Sequence, residues 1–380
     1  MIEIKPAISR KQKKDFVMFP YHFYRKMNSF PNWVPPLLMD EKKIFQPEKD
    51  PFYLHADIKH FLAYENGDVI GRVAGIVDHN YVSFHGEKTA FFGFFECTDN
   101  QEAAKMLTKA AEEWALNLGM ERMIGPMNPS TNHILGVQID NFESPPVVQM
   151  PYSPPFYDSL LKGSGFDKEK DLYSYIMDTS LPLSDKIERV TELVKKRSKV
   201  QLRRINLKEF DKLSEMIREI WNDAWSTNWG FVPWTQEEFS HLAKDMKLVL
   251  IPELVLLAEN ENGEPVGFAF PIPDINKILI KMKGRLFPFG IFKLLAGKNK
   301  IPLIRVAAFG VKKKYQNTGL DALFIHELYT RAVKLGINQA DFSWVLEDNL
   351  NLRNLLEGWG TTHYKTHRIY GKTLYTPGSE

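Results

Sequence analysis

Arg305-Val-Ala-Ala-Phe-Gly-Val-Lys-Lys-Lys-Tyr-Gln-Asn-Thr-Gly319 and the following Leu320-Asp-Ala-Leu-Phe324 read as a strand, a short polar loop and the opening of a helix. The helix continues with Leu328, Ala332 and Leu335 at helical spacing, and Leu335-Gly336 closes it. At such a junction the first helical N–H groups lack partners and face the positive end of the dipole. The glycine lets the backbone approach a ligand closely. The stretch therefore predicts an anion site at a helix N-terminus.

Working outward, the chain repeats itself. Leu62-Ala-Tyr-Glu-Asn-Gly-Asp-Val-Ile-Gly-Arg-Val-Ala reads as a hairpin over Asn-Gly, and Leu257-Ala-Glu-Asn-Glu-Asn-Gly-Glu-Pro-Val-Gly-Phe-Ala, 195 positions later, reads the same way. Leu160-Leu-Lys-Gly-Ser-Gly-Phe matches Leu355-Leu-Glu-Gly-Trp-Gly-Thr at that same offset, and Tyr175 falls opposite Tyr370. Between these anchors each part predicts a strand, a long amphipathic helix and a strand. The first strand is Thr89–Glu96, and its helix opens with Asp99 and Glu102 in capping-box spacing. Ala104, Leu107, Ala111, Trp114 and Leu118 form that helix's stripe. We read two α/β parts, 1–180 and 201–380, joined by a basic amphipathic linker helix over 181–200 with Ser184-Asp185 at its start.

Composition agrees with two packed cores. Of 380 residues 44% are hydrophobic, and 49 basic against 47 acidic residues leave no global field to recruit nucleic acid. Cys97 is the one cysteine, which excludes a disulfide within the chain; no close-spaced ligand cluster suggests a metal. The N-terminus lacks an apolar signal core, so a cytoplasmic location is expected.

Gln316-Asn-Thr-Gly319-Leu-Asp321 after a strand ending in Val311 resembles the pyrophosphate loop of the GNAT acyltransferase superfamily. The resemblance covers about Gln201–Gly371 directly and the first part by repetition, and points to a bacterial group with two tandem halves. It implies an α/β fold of two GNAT-like halves, each a mixed, mostly antiparallel twisted sheet flanked by helices. It further implies acyl-CoA as co-substrate. Its contacts would be Phe309, Gly310 and Val311 on the strand, Gln316, Asn317, Thr318, Gly319 and Leu320 in the loop, and Asn349 beyond the next strand. Asp321 departs from the family's small residue and would repel a phosphate if it pointed inward. The equivalent first-half segment, Glu96-Cys-Thr-Asp-Asn-Gln-Glu-Ala103, has three acids and no glycine, so that half reads as degenerate.

Acyl transfer from acyl-CoA to an amine or hydroxyl by a direct ternary complex is the expected reaction. Such a reaction needs a base for the acceptor and an acid for the thiolate. Glu347, at the end of strand Asp341–Leu346, is the candidate base; His363 and Tyr364 are the candidate acids. Trp225, Asn228 and Trp229, with Asn128 and Asn132 of the first half, are candidate acceptor contacts. Core packing is the rival reading for the tryptophans, and turn chemistry for the asparagines. Two other functions stay open: a non-catalytic acyl-CoA or lipid sensor, and an aminoacyl transferase using charged tRNA. From Ile275 to Arg305 there are eight Lys or Arg and no acid, interleaved with apolar residues. This composition predicts a surface for an acyl carrier protein or an anionic membrane, which would place the protein peripherally at the membrane. A helical excursion with a solvated basic face is the alternative.

Overall fold

The computed structural model of the chain describes residues 1–27 and 30–375. They form two compact units. Unit 1 holds Met1–Leu172, Leu279–Leu286 and the chain from Lys365; unit 2 holds Tyr173–Ile278 and Phe287–Tyr364.

In unit 1, β1 (Ile2–Pro6) leads to α1 (Arg10–Met27) and the short α2 (Leu38–Glu41). β2 (Ala56–Glu65) and β3 (Asp68–Asp78) then form the hairpin read from Asn66-Gly67, both of which have positive φ as a tight turn requires. After α3 (His79–His85), β4 (Thr89–Cys97) pairs antiparallel with β3. α4 (Gln101–Asn117) is capped by Asn100, whose side chain accepts the Ala103 N–H, rather than by the expected Asp99. Ala104, Leu107 and Ala111 are buried as its stripe requires, whereas Leu118 lies exposed past its end. Gly75 of β3 sits beneath this helix, where a Cβ would lie 2.5 Å from the Trp114 ring.

β5 (Arg122–Gly125) runs parallel to β4 but pairs with it only over Thr89–Phe91. Short strands β6 (Met127–Asn128), β7 (Ile134–Leu135) and β8 (Val137–Gln138) follow, then α5 (Tyr157–Gly163) and β9 (Asp167–Asp178). Residues 370–373, the end of the last strand, pair with β5.

Unit 2 repeats the plan. α6 (Asp185–Arg197) precedes β10 (Gln201–Arg204), α7 (Phe210–Ala224) and α8 (Gln236–Lys247), the last opened by a Thr235/Glu238 capping box. β11 (Leu256–Glu259) and β12 (Pro265–Pro273) form the second hairpin. α9 (Asn276–Met282) and α10 (Gly290–Gly297) lead to β13 (Leu303–Val311), α11 (Leu320–Lys334), β14 (Gln339–Leu346), α12 (Leu350–Gly358) and β15 (Thr362–Thr373). Strand order is β14-β13-β12-β11-β10. Phe210, Leu213, Ile217 and Ile220 of α7 pack with Trp234 and Phe239 against one face of this sheet. Leu320, Phe324 and Leu328 of α11 pack with Val194 of α6 against the other. No helix among the described residues is long and apolar enough to cross a membrane.

Candidate functional site in the cleft of unit 2

β13 and β14 pair in parallel only where Leu303–Arg305 faces Gln339–Asp341; beyond that point they diverge. Ala307 is an extra residue in β13, since Phe270 faces Ala308 and Pro271 faces Val306. Such a bulge bends its strand, and Pro271 has no N–H to hold the ladder closed.

A buried polar network lies where the strands part. Asp341 and Ser343 project to one face by the two-residue period, opposite Arg305 in register. The Tyr364 hydroxyl donates to Asp341 Oδ2 at 2.7 Å, and the Ser343 hydroxyl donates to Asp341 Oδ1. Arg305 Nε donates to Ser343 Oγ at 3.0 Å, and its Nη2 to the Ser343 carbonyl at 3.0 Å. Asp341 is wholly buried and Arg305 nearly so. Burial lowers the Arg305 pKa to about 10, against the pull of Asp341. Burial first, and then the Asp341 carboxylate, drive Tyr364 far above the usual phenol range. Tyr364 therefore remains a neutral phenol, its proton held by Asp341.

The loop after β13 is held at both ends. The Lys313 N–H donates to Asp223 Oδ2 at 2.8 Å, Gln316 Nε2 to the Val311 carbonyl at 3.1 Å, and Thr318 Oγ1 to the Tyr315 carbonyl at 2.7 Å. Asn317 and Gly319 have φ of +60° and +82°, which curls the backbone between them. Among the described bonds, the amides of Asn317, Thr318, Gly319 and Leu320 have no protein acceptor. The Asp321 carboxylate turns back onto its own amide and that of Ala322, and burial, the larger effect, raises its pKa. Gly319 has a second constraint: a Cβ there would stand 2.7 Å from Val194 Cγ2 of α6.

The other sequence candidates are placed as follows. Phe309 packs edge-on against Phe324 at 5.4 Å, and Leu320 is buried in the same core, so only its amide faces the loop. Gly310 lies against Phe268, whose Cε1 a Cβ would approach to 2.9 Å. The Asn349 side chain caps α12, accepting the Leu352 N–H at 3.1 Å. Glu347 is half-buried just past β14, and its carbonyl accepts from Arg353 Nη1 at 2.6 Å. His363 and Tyr364 are adjacent in one strand and so face opposite sides. His363 is exposed against Tyr173 at 4.6 Å, away from the network that holds Tyr364. Trp225 packs on Trp221 at 3.9 Å, while Asn228 and the half-buried Trp229 form the turn that follows.

Asn128 and Asn132 belong to unit 1. The Asn128 side chain accepts the Phe94 N–H at 2.5 Å across the divergence of β4 and β5, while the Asn132 N–H donates to Ser130 Oγ in a turn. A Cβ on Gly93 would overlap the Met127 carbonyl at 1.8 Å, so the first-half divergence is filled by its own backbone. Glu96, read from sequence as a loop acid, is instead half-buried at the end of β4. It accepts from Tyr157 Oη at 2.6 Å and Tyr24 Oη at 2.9 Å, and burial raises its pKa.

No established protein-family profile matches the chain. It is 32% identical to the bacterial ceramide synthase of Caulobacter vibrioides over 386 aligned positions, covering 98% of each chain. It is 30% identical to protein YghO of Escherichia coli, covering 98% of this chain and 95% of that one. The chain belongs to their family. A solved tandem GNAT protein from the clavulanic acid pathway superposes over 99% of both chains with a TM-score of 0.55 at 10% identity, so the shared fold is GNAT. On that fold and membership the chain is a transferase enzyme.

The loop Asn317–Leu320 joins β13 to the N-terminus of α11. Its residues fit a phosphate: the amides without a protein acceptor among the described bonds open a helix of 15 residues, and the Asp321 carboxylate lies on the next two amides, its own and that of Ala322. The first-half counterpart has its Ala103 amide bonded by Asn100. Sequence reading missed Arg305, Asp341 and Ser343. Their one signal is an arginine and an aspartate placed within otherwise apolar strands.

Proposed function

We propose that this chain is an N-acyltransferase that moves a fatty acyl group from acyl-CoA to the amine of a long-chain amino alcohol, in the cleft of unit 2. The observation that carries this reading is the full-length identity to a bacterial ceramide synthase. A ceramide is the amide of a fatty acid with such an amino alcohol.

The bound donor would supply the activated acyl carbon as a thioester. The amides of Asn317, Thr318, Gly319 and Leu320 would hold its phosphate, helped by the α11 dipole. Glu347, at the open end of β14, takes the proton of the attacking amine directly or through a water molecule. As the C–N bond forms and the C–S bond breaks, that proton passes from Glu347 to the departing sulfur, directly or through a water molecule. The Tyr364 hydroxyl keeps its proton on Asp341, and with Arg305 and Ser343 it fixes β14, the strand that ends beside Glu347. His363, on the other side of the strand, has no part in this step.

The test is purified chain with long-chain acyl-CoA and a long-chain amino alcohol, followed by mass spectrometry of the amide and assay of free thiol. One amide per thiol supports the reading, and thiol release without amide refutes it. A silent acyl-CoA sensor is the second reading, favoured by the Asp321 carboxylate beside the phosphate amides. Binding of acyl-CoA with neither product would establish it.

A further inference from the structure

Phe287, Phe289 and Phe292 are 65, 73 and 69% exposed, and Leu295 is 48% exposed. These are large apolar side chains that folding leaves in water. In α10, Gly-Ile-Phe-Lys-Leu-Leu-Ala-Gly, only Leu294 buries a large side chain, while Phe292 and Leu295, three apart, share the solvent side. The helix is nonetheless fixed to unit 2: a Cβ on Gly297 would lie 2.7 Å from Ile278, and the Lys298 amine donates to the Leu248 carbonyl at 2.9 Å. The rings are thus presented on an anchored element.

The charge carried by the same segment has one sign. Within Phe287–Lys300, Lys293 and Lys300 are exposed and Lys298 is half-buried. The segment contains no carboxylate to neutralise them. Exposed aromatic rings beside cations meet the requirements of a phospholipid head-group boundary, where rings enter the acyl edge and cations meet phosphates. We infer that Phe287–Lys300 of unit 2 seats the protein on an anionic lipid surface. This inference stands apart from acyl transfer, because it uses none of the cleft residues except by neighbourhood in sequence.

The full chain is sedimented with phosphatidylcholine vesicles with and without phosphatidylglycerol, at low and high salt. Binding to the anionic vesicles at low salt, weak at high salt and weak to neutral vesicles, is expected. Phe287→Ser, Phe289→Ser and Phe292→Ser together should lower partitioning by about a hundredfold or more, at roughly tenfold per ring. Lys293→Gln and Lys300→Gln together should lower it by about twentyfold, at roughly fivefold per charge. Since all five side chains are exposed, melting temperatures should stay near that of the parent; a combination that does not fold is replaced by Phe289→Ser alone, which should still weaken binding. No sedimentation with anionic vesicles at low salt overturns the inference. So does binding that neither set changes, or capture of acyl carrier protein by a chain that ignores vesicles. Amide formation in detergent by the phenylalanine variants separates this test from that of the proposed function.

Discussion

Gly319→Ala tests the seat of the phosphate loop. At φ +82° an alanine pays the left-handed penalty, about 1–2 kcal/mol. Its Cβ would also stand 2.7 Å from Val194 Cγ2 and 3.2 Å from Val190 Cγ1, two side chains on a helix that packs along α11. Overpacking of this kind costs roughly 1–3 kcal/mol. Together the expected loss is about 2–5 kcal/mol. Gly336→Ala, at the other end of the same helix, supplies the control: its φ is +73°, but nothing lies within 4 Å of the added carbon. That variant should lose only the backbone part. Urea unfolding followed by tryptophan fluorescence reads both. Val194→Ala should partly rescue Gly319→Ala, giving a double mutant more stable than the sum of the single effects. Equal midpoints for the two glycine variants, or strict additivity with Val194→Ala, would refute the contact between α6 and the loop.

Asp321→Asn removes a charge whose burial outweighs its amide bonds. Because the folded-state pKa is raised, the aspartate's contribution to stability is greatest in acid and is lost as pH rises through the folded pKa. The variant should therefore be at least as stable as the parent at neutral pH by thermal melting, and calorimetry should show tighter binding of coenzyme A. Weaker binding would mean that the carboxylate shapes the cradle. Arg305→Met leaves the buried Asp341 carboxylate without its cation, an expected loss of about 3–5 kcal/mol in urea unfolding; a loss within error would show the network to be solvated. Burial pushes the Cys97 thiol up to about 12, so maleimide at neutral pH should label it only in denaturant, as intact-mass measurement would reveal.

Much of this fold was legible because its signals are local. The Asn66-Gly67 hairpin, the Leu-Gly helix ends and the strand–loop–helix at Arg305–Phe324 each rest on short-range turn or cap chemistry. The network on the cleft floor was not legible, since Arg305 and Asp341 meet only through parallel register and nothing nearby in sequence marks either. Nor could the sequence show that Asp321 folds onto its own helix, or that Val190 and Val194 cover Gly319; both depend on packing. The same is true of Leu279–Leu286 and the chain from Lys365, which join unit 1 across long separations. The two-residue strand period already separates His363 from Tyr364, placing them on opposite sides of β15.

Amide synthesis in unit 2 is tested most directly by comparing the parent chain with Glu347→Gln, using long-chain acyl-CoA and a long-chain amino alcohol with mass-spectrometric detection of the amide. The variant keeps the shape of the side chain and loses the base, so amide formation should fall by about a hundredfold or more, the usual worth of a positioned general base, with coenzyme A binding unchanged. Undiminished amide formation by Glu347→Gln would contradict the assignment of the site, and no amide from the parent chain would contradict amide synthesis by this chain.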